Sequence, residues 1–161
     1  MSNRRLIVGI AMLVVLCLFA STAVWGEKCK RVNANLFTGP LLFDPAPECN
    51  GYTLCQAVYL DGTPNGTMWT FMNLPDGFIE WDDGTFINIT VSVLETKHGE
   101  LFFDDRAITA PDAPEGFVLH SNVTGGTGRY EGATGWLAYY LEYLEGNEGI
   151  MRGEICYADE D

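Results

Sequence analysis

The chain has 161 residues, and its 22 acidic and nine basic side chains give it a formal net charge of −13 at pH 7. A chain this acidic repels nucleic acid and anionic membrane surfaces, so we expect neither as a partner. Its length suits one domain, which buries about two-thirds of the surface of the unfolded chain.

The N-terminal segment has the layout of a secretory signal peptide. Arg4 and Arg5 precede an apolar run over residues 6–20 that is too short to span a bilayer comfortably, and small residues follow. Lipoprotein and twin-arginine signals fit less well, because neither motif is complete. We therefore predict a signal peptide over residues 1–26 and a single domain over residues 27–161. The mature protein is expected to be extracellular, or periplasmic in a Gram-negative bacterium, and not attached to a membrane.

Four cysteines remain after the signal is removed, namely Cys29, Cys49, Cys55 and Cys156. An even number in an oxidising compartment indicates two disulfides, for which three pairings exist. Cys49 and Cys55 flank a short Asn50-Gly51 turn and can meet locally, which leaves Cys29 to pair with Cys156 and tie the first strand to the last. No CxxC motif is present in the sequence, and we expect no metal site.

Short segments between turn signals indicate an all-β protein. They are residues 31–37, 52–60, 67–74, 85–94, 100–106, 117–121, 136–144 and 149–157. The clearest is the segment 85–94, where Ile87, Ile89, Val91 and Val93 alternate with Asn88, Thr90 and Ser92, as in a half-buried strand. About eight strands at this spacing predict an antiparallel barrel or sandwich.

Polar residues of catalytic type are present but poorly arranged for hydrolysis. The carboxylates at Glu80, Asp82 and Asp83, and again at Asp104 and Asp105, lie by turn signals, so we expect solvated turn residues rather than a catalytic pair. Ser121 follows His120 directly, and adjacent residues of a strand point to opposite faces.

Three Asn-x-Thr sequons begin at Asn65, Asn88 and Asn122. In a eukaryotic secretory pathway they would be glycan acceptors. Asn65 lies in a predicted turn and Asn88 on the polar face of its strand, so we expect both to be accessible.

A glycine-rich run over residues 125–135, GGTGRYEGATG, requires a backbone that turns sharply or approaches another segment closely. Its spacing does not fit a dinucleotide-binding turn, so no nucleotide cofactor is expected. The run resembles one found late in the allene oxide cyclase and dirigent β-barrels, where it also leads into a long strand. The C-terminal residues 152–156 resemble those of a group of small secreted proteins, largely bacterial. The resemblance implies a calycin-like, disulfide-stapled barrel that works without a bound cofactor.

The strand predicted over residues 136–144 is apolar on both faces. One face is expected to line or fill the barrel, and the other to pack on a loop or on a second copy in a homo-oligomer. Five residues are candidate ligand contacts, two from the glycine-rich run at the barrel mouth and three tyrosines of this strand: Tyr130, Glu131, Tyr139, Tyr140 and Tyr143.

These observations predict a secreted β-barrel that binds a small apolar or aromatic molecule. Two alternatives stay open. One is a cofactor-free isomerase, cyclase or dirigent-like coupling guide that uses the same cavity. The other is a structural or surface-interaction protein whose barrel is filled by its own side chains. The sequence does not decide whether the protein is an enzyme.

Overall fold

The computed structural model describes residues 27–74, 76–109, 116–142 and 148–158. The predicted signal peptide and Tyr143 lie outside these ranges. The strands are β1 Glu27–Phe43, β2 Leu54–Thr63, β3 Gly66–Met72, β4 Phe78–Glu80, β5 Phe86–Thr96, β6 Gly99–Thr109, β7 Gly116–Gly126, β8 Thr134–Glu142 and β9 Glu148–Ala158. Two short 3-10 turns span Pro47–Cys49 and Gly128–Tyr130. Within the described ranges, no helix has the length and apolar character needed to cross a membrane.

Eight of the strands form a closed antiparallel barrel. The order is β1-β2-β3-β5-β6-β7-β8-β9, with β9 paired back to β1. Closure depends on the β3–β5 pairing, which runs from Thr67 opposite Glu95 to Phe71 opposite Val91. The short strand β4 pairs with the beginning of β5. The predicted all-β barrel of about eight antiparallel strands is confirmed.

The barrel has two ends that differ in their connections. We call the first the glycine end. It contains the start of β1, the end of β9 and the β2–β3, β5–β6 and β7–β8 connections. The glycine-rich run 125–135 forms the last of these connections. At the other, the cavity end, β1 leads into β2 and β3 leads through β4 into β5.

Each end carries one of the two predicted disulfides, and both pairings are confirmed. Cys29 is bonded to Cys156 at the glycine end, where the two residues face each other across β1 and β9. Cys49 is bonded to Cys55 at the cavity end. Glu154 lies beside Cys29 and Cys156, but sulfurs joined in a disulfide offer no thiolate to a metal ion.

Side-chain alternation fills most of the barrel interior. Large apolar side chains with almost no exposed surface come from β1, β5, β6, β8 and β9: Leu36, Leu94, Leu101, Phe103, Leu137 and Met151. The strand β8 is apolar on both faces, as predicted. Leu137 and Tyr139 point inward, whereas Trp136 and Tyr140 are exposed on the outer wall. Whether a second copy covers that outer face stays a prediction.

One strand faces the opposite way from the sequence-based expectation. On β5 the polar residues Asn88, Thr90 and Ser92 are buried in the interior, and Ile89 is exposed. The register explains the inversion, because Thr90 lies opposite the buried Asp105 of β6. A buried carboxyl requires hydrogen-bond donors, and the polar face of β5 supplies them.

Candidate functional site

A buried carboxyl group lies at the centre of the candidate site. Asp105 belongs to β6, on which Leu101, Phe103 and Ala107 also point into the barrel, and its side chain is 0% exposed. The expectation that Asp104 and Asp105 are both solvated turn residues is therefore wrong for Asp105, whereas its neighbour Asp104 is exposed. The sequence of β6 contains a signal for this burial. Asp105 occupies an alternate position of the strand together with the apolar Leu101, Phe103 and Ala107, so all four side chains lie on the same face.

Hydroxyl groups from neighbouring strands hold this carboxyl group. Ser92 and Thr90 of β5 both donate to Asp105 Oδ2, the latter at 3.3 Å. Ser92 Oγ also lies 2.8 Å from Thr70 Oγ1 of β3. Since the one Ser92 proton goes to the carboxylate, Thr70 donates to Ser92 when Asp105 is ionised. Thr70, Ser92 and Asp105 thus form a continuous chain of hydrogen bonds.

Burial and the neighbouring hydroxyl groups act in opposite directions on this carboxyl group, and burial has the larger effect. Burial raises the pKa of Asp105 above that of an ordinary aspartate, while Ser121, Ser92 and Thr90 oppose the shift by favouring the charged form. Ser121 Oγ and Asp105 Oδ1 are buried and have no hydrogen-bond partner among the described residues. The site can therefore hold, accept or release a proton.

Tyr139 of β8 belongs to the same interior region. Its side chain is 3% exposed, and its hydroxyl lies 4.0 Å from Met68 Sδ. Burial raises the pKa of the Tyr139 phenol well above its usual value, and the negative charge of Asp105 adds to this effect. The phenol therefore stays protonated at neutral pH.

A cavity of about 300 Å³ opens beside these hydroxyls at the cavity end. Its lining is largely apolar and consists of Leu41, Leu54, Gln56, Thr70, Met72, Leu74, Asn88, Thr90, Ala107, Phe117 and Leu119. We call it the apolar cavity. Its walls are formed near the ends of six strands, β1, β2, β3, β5, β6 and β7, each of which contributes inward-facing residues at this end of the barrel.

Two polar side chains join the apolar cavity to the buried carboxyl group, and a third lines the cavity beside them. Thr90 lines the cavity and donates to Asp105, and Thr70 lines it at the far end of the hydroxyl chain. Asn88 also lines it, and Asn88 Oδ1 is buried with no hydrogen-bond partner among the described residues. An unpaired buried acceptor costs about 1–3 kcal/mol, which a ligand donor or a water would offset.

The structure does not bring the five predicted ligand contacts together. Tyr139 lies in the interior near Asp105, and Tyr140 is 44% exposed on the outer wall. Tyr130 is buried at the glycine end, and Glu131 is exposed in the turn that follows it. Tyr143 lies outside the described residues. A ligand contact by any of the five stays a prediction, but the described four do not share one surface.

The other polar expectations have mixed outcomes. Asn88 is 5% exposed, so the expectation that this sequon is accessible is wrong, whereas Asn65 and Asn122 are exposed. Glu80, Asp82 and Asp83 are exposed, as predicted. Asp83 accepts a hydrogen bond from the Thr85 backbone N–H at 2.9 Å, and this bond lowers the pKa of the Asp83 carboxyl.

Comparison with known proteins finds similarity in structure. No protein-family model matches the sequence, and no curated protein sequence matches it. Solved structures that are similar include those of the pterocarpan synthase dirigent proteins GePTS1 and PsPTS1. The GePTS1 match has a TM-score of 0.45 and 10% sequence identity, and covers 83% of this chain and 90% of GePTS1. The PsPTS1 match has a TM-score of 0.46 and 11% sequence identity, and covers 83% of this chain and 97% of PsPTS1. A resemblance of this chain to allene oxide cyclases stays a prediction.

Proposed function

We propose that the chain is a secreted β-barrel that binds a small apolar or aromatic molecule in the apolar cavity. The observation that carries the proposal is a cavity of about 300 Å³ with largely apolar walls and a few convergent polar groups at Asn88, Thr70 and Thr90. This volume lies at the lower end of the range of ligand pockets, which favours a compact ligand. Secretion is supported by the two disulfides, which persist in oxidising compartments.

Calorimetric titration tests this function with a phenol, guaiacol, and a fatty acid, decanoate. We expect saturable binding of at least one of them to the parent protein. Ala107→Leu places a larger side chain in the cavity and should abolish that binding. Ala138→Leu enlarges an alanine of β8 that does not line the cavity, and should leave the affinity unchanged. The absence of saturable binding of either probe to the parent would contradict the proposal and favour a structural barrel.

A second candidate function is cofactor-free catalysis of isomerase, cyclase or coupling-guide type in the same cavity. The chain Thr70–Ser92–Asp105 favours it, because it joins the cavity to a carboxyl group whose pKa is raised by burial. Such carboxyl groups serve as general acids or bases when a ligand lies within reach. Here the carboxylate would take a proton from the ligand through the hydroxyls, and the same path would return it.

Deuterium incorporation distinguishes catalysis from binding alone. The ketone 4-phenylbutan-2-one, dissolved in deuterium oxide with the protein, would exchange its α-protons faster than in buffer if Asp105 removes them. Asp105→Asn should then bind the ketone as the parent does and lose the exchange. Exchange at the buffer rate in the parent would leave binding as the function and contradict the proton-transfer role.

A further inference from the structure

A second concave surface lies at the glycine end, on the opposite side of the barrel from the apolar cavity. It is a half-open cleft of about 610 Å³. Its walls come from the beginning of β1, the β2–β3 and β5–β6 connections, the 3-10 turn of the glycine-rich run and the end of β9. We call it the basic cleft, because lysines and arginines are among its lining residues.

Basic residues from separate parts of the chain line this cleft. Lys30 and Arg31 come from β1, Lys97 from the β5–β6 connection and Arg129 from the glycine-rich run. Nine lysines and arginines occur in the whole sequence, two of them in the predicted signal peptide. Four of the remaining seven therefore line one cleft, whereas Glu95 is the one carboxylate among its described lining residues. Among the described lining residues, positive charges therefore outnumber negative ones, although the protein as a whole is strongly acidic.

Two of these cations are held in position by an aromatic pair. Lys30 Nζ lies 5.3 Å from the centre of the Tyr157 ring, and the Arg129 guanidinium lies 5.2 Å from it. Tyr157 is 6% exposed and packs edge to face on Tyr130, with ring centres 5.4 Å apart. Cation–π contacts of this kind fix long side chains before a ligand arrives and so reduce the entropy lost on binding.

Backbone geometry fixes the position of the Arg129 segment. The Arg129 N–H donates to the His98 carbonyl at 3.0 Å, which joins the glycine-rich run to the β5–β6 connection. Gly128 has a φ of +58°, and a Cβ there would lie 2.6 Å from the same carbonyl. The run can approach His98 this closely because it carries no side chain at this point. The glycines therefore place Arg129 in the same cleft as Lys97.

We propose that the basic cleft binds a small anion that carries two or more carboxylate or phosphate groups. Cations from three separate segments match a ligand with several charges better than one with a single charge, and the volume is in the range of ligand pockets. Arginine and lysine are the side chains that proteins use for carboxylate and phosphate. Because this site lies at the other end of the barrel, it does not depend on the proposed function of the apolar cavity.

Calorimetric titration at low ionic strength, where the Debye length is about 30 Å, tests the proposal with three probes. Citrate carries several carboxylates, pyrophosphate carries phosphates, and acetate carries one charge. We expect saturable binding of citrate or pyrophosphate, whichever group the cleft prefers, and no saturable binding of acetate. The affinity should fall as sodium chloride is added.

Paired substitutions distinguish the cleft from the overall charge. Lys30→Gln with Lys97→Gln removes two exposed cations of the cleft, and we expect the affinity to fall by about tenfold or more. Arg106→Gln with Arg152→Gln removes two exposed cations elsewhere and should change the affinity by less than about twofold. The proposal would be overturned by an absence of saturable binding of both polyvalent anions, by equal binding of acetate, or by an equal loss in the control pair.

Discussion

The two ends of the barrel are built from the same eight strands, yet they carry opposite chemistry. At the glycine end, tight connections pack Tyr130 against Tyr157 and gather cations around them. At the cavity end, inward-facing residues leave an apolar cavity that Thr90 connects to a buried carboxyl group. The difference shows that the closed sheet sets the architecture, while the residues at strand ends and in connections set the chemistry of each end.

The largest expected effect compares the disulfides of the two ends. The chain-entropy model gives about 5 kcal/mol for the Cys29–Cys156 bridge, which spans 127 residues, and about 2.2 kcal/mol for Cys49–Cys55, which spans six. We expect the double variant Cys29→Ser/Cys156→Ser to lose more unfolding free energy than Cys49→Ser/Cys55→Ser, measured by urea denaturation. Equal losses would show that the long bridge does not stabilise through the unfolded chain.

A smaller effect is expected within the glycine-rich run. A Cβ at Gly126 would lie 2.3 Å from the Glu100 carbonyl oxygen, so Gly126→Ala forces the backbone apart and should cost about 1–3 kcal/mol. Gly132 has a φ of +68° and open space around it, so Gly132→Ala should cost about 1 kcal/mol through backbone strain alone. Thermal melts report both. If Gly126→Ala melts like the parent, the run does not constrain the glycine end.

The third prediction concerns the pH dependence of stability at the cavity end. Because burial raises the pKa of Asp105, the folded state binds this proton more tightly than the unfolded chain does. The stabilisation is complete below the ordinary carboxyl range and is lost as the pH rises through the raised pKa. Asparagine does not titrate, so the unfolding free energy of Asp105→Asn minus that of the parent should rise as the pH increases from about 4 to about 7.

Asp104→Asn is the matched control, because the neighbouring residue is exposed on the other face of β6. We expect it to follow the parent closely in urea denaturation at both pH values. A parent and an Asp105→Asn variant with parallel pH profiles would mean that the Asp105 carboxyl group does not have a raised pKa.

The barrel and its two disulfides could be predicted from the sequence because they depend on local signals. Turn residues mark the strand ends, and the short Asn50-Gly51 turn between Cys49 and Cys55 leaves the distant cysteines to each other. Of the candidate site, Tyr139 was predicted and the hydroxyl chain was not, because an alternating strand can be inserted with either face inward. For β5 the choice depends on a partner across the sheet. Asp105 requires donors, so Thr90 and Ser92 face inward although Val91 between them is aliphatic.

The basic cleft could not be predicted for a related reason. Lys30 and Lys97 are far apart in the sequence and line the same cleft only because the barrel closes. The net negative charge of the whole sequence does not reveal that some of its few basic residues lie together.

Nuclear magnetic resonance of methionine methyl groups tests the central claim most directly, that the apolar cavity is the ligand site. Met72 lines the cavity, whereas Met151 is buried in the core and does not line it. With ¹³C-methyl methionine, titration with guaiacol or decanoate should shift the Met72 resonance saturably and leave that of Met151 in place. An unchanged Met72 resonance, or equal shifts at both residues, would contradict the account.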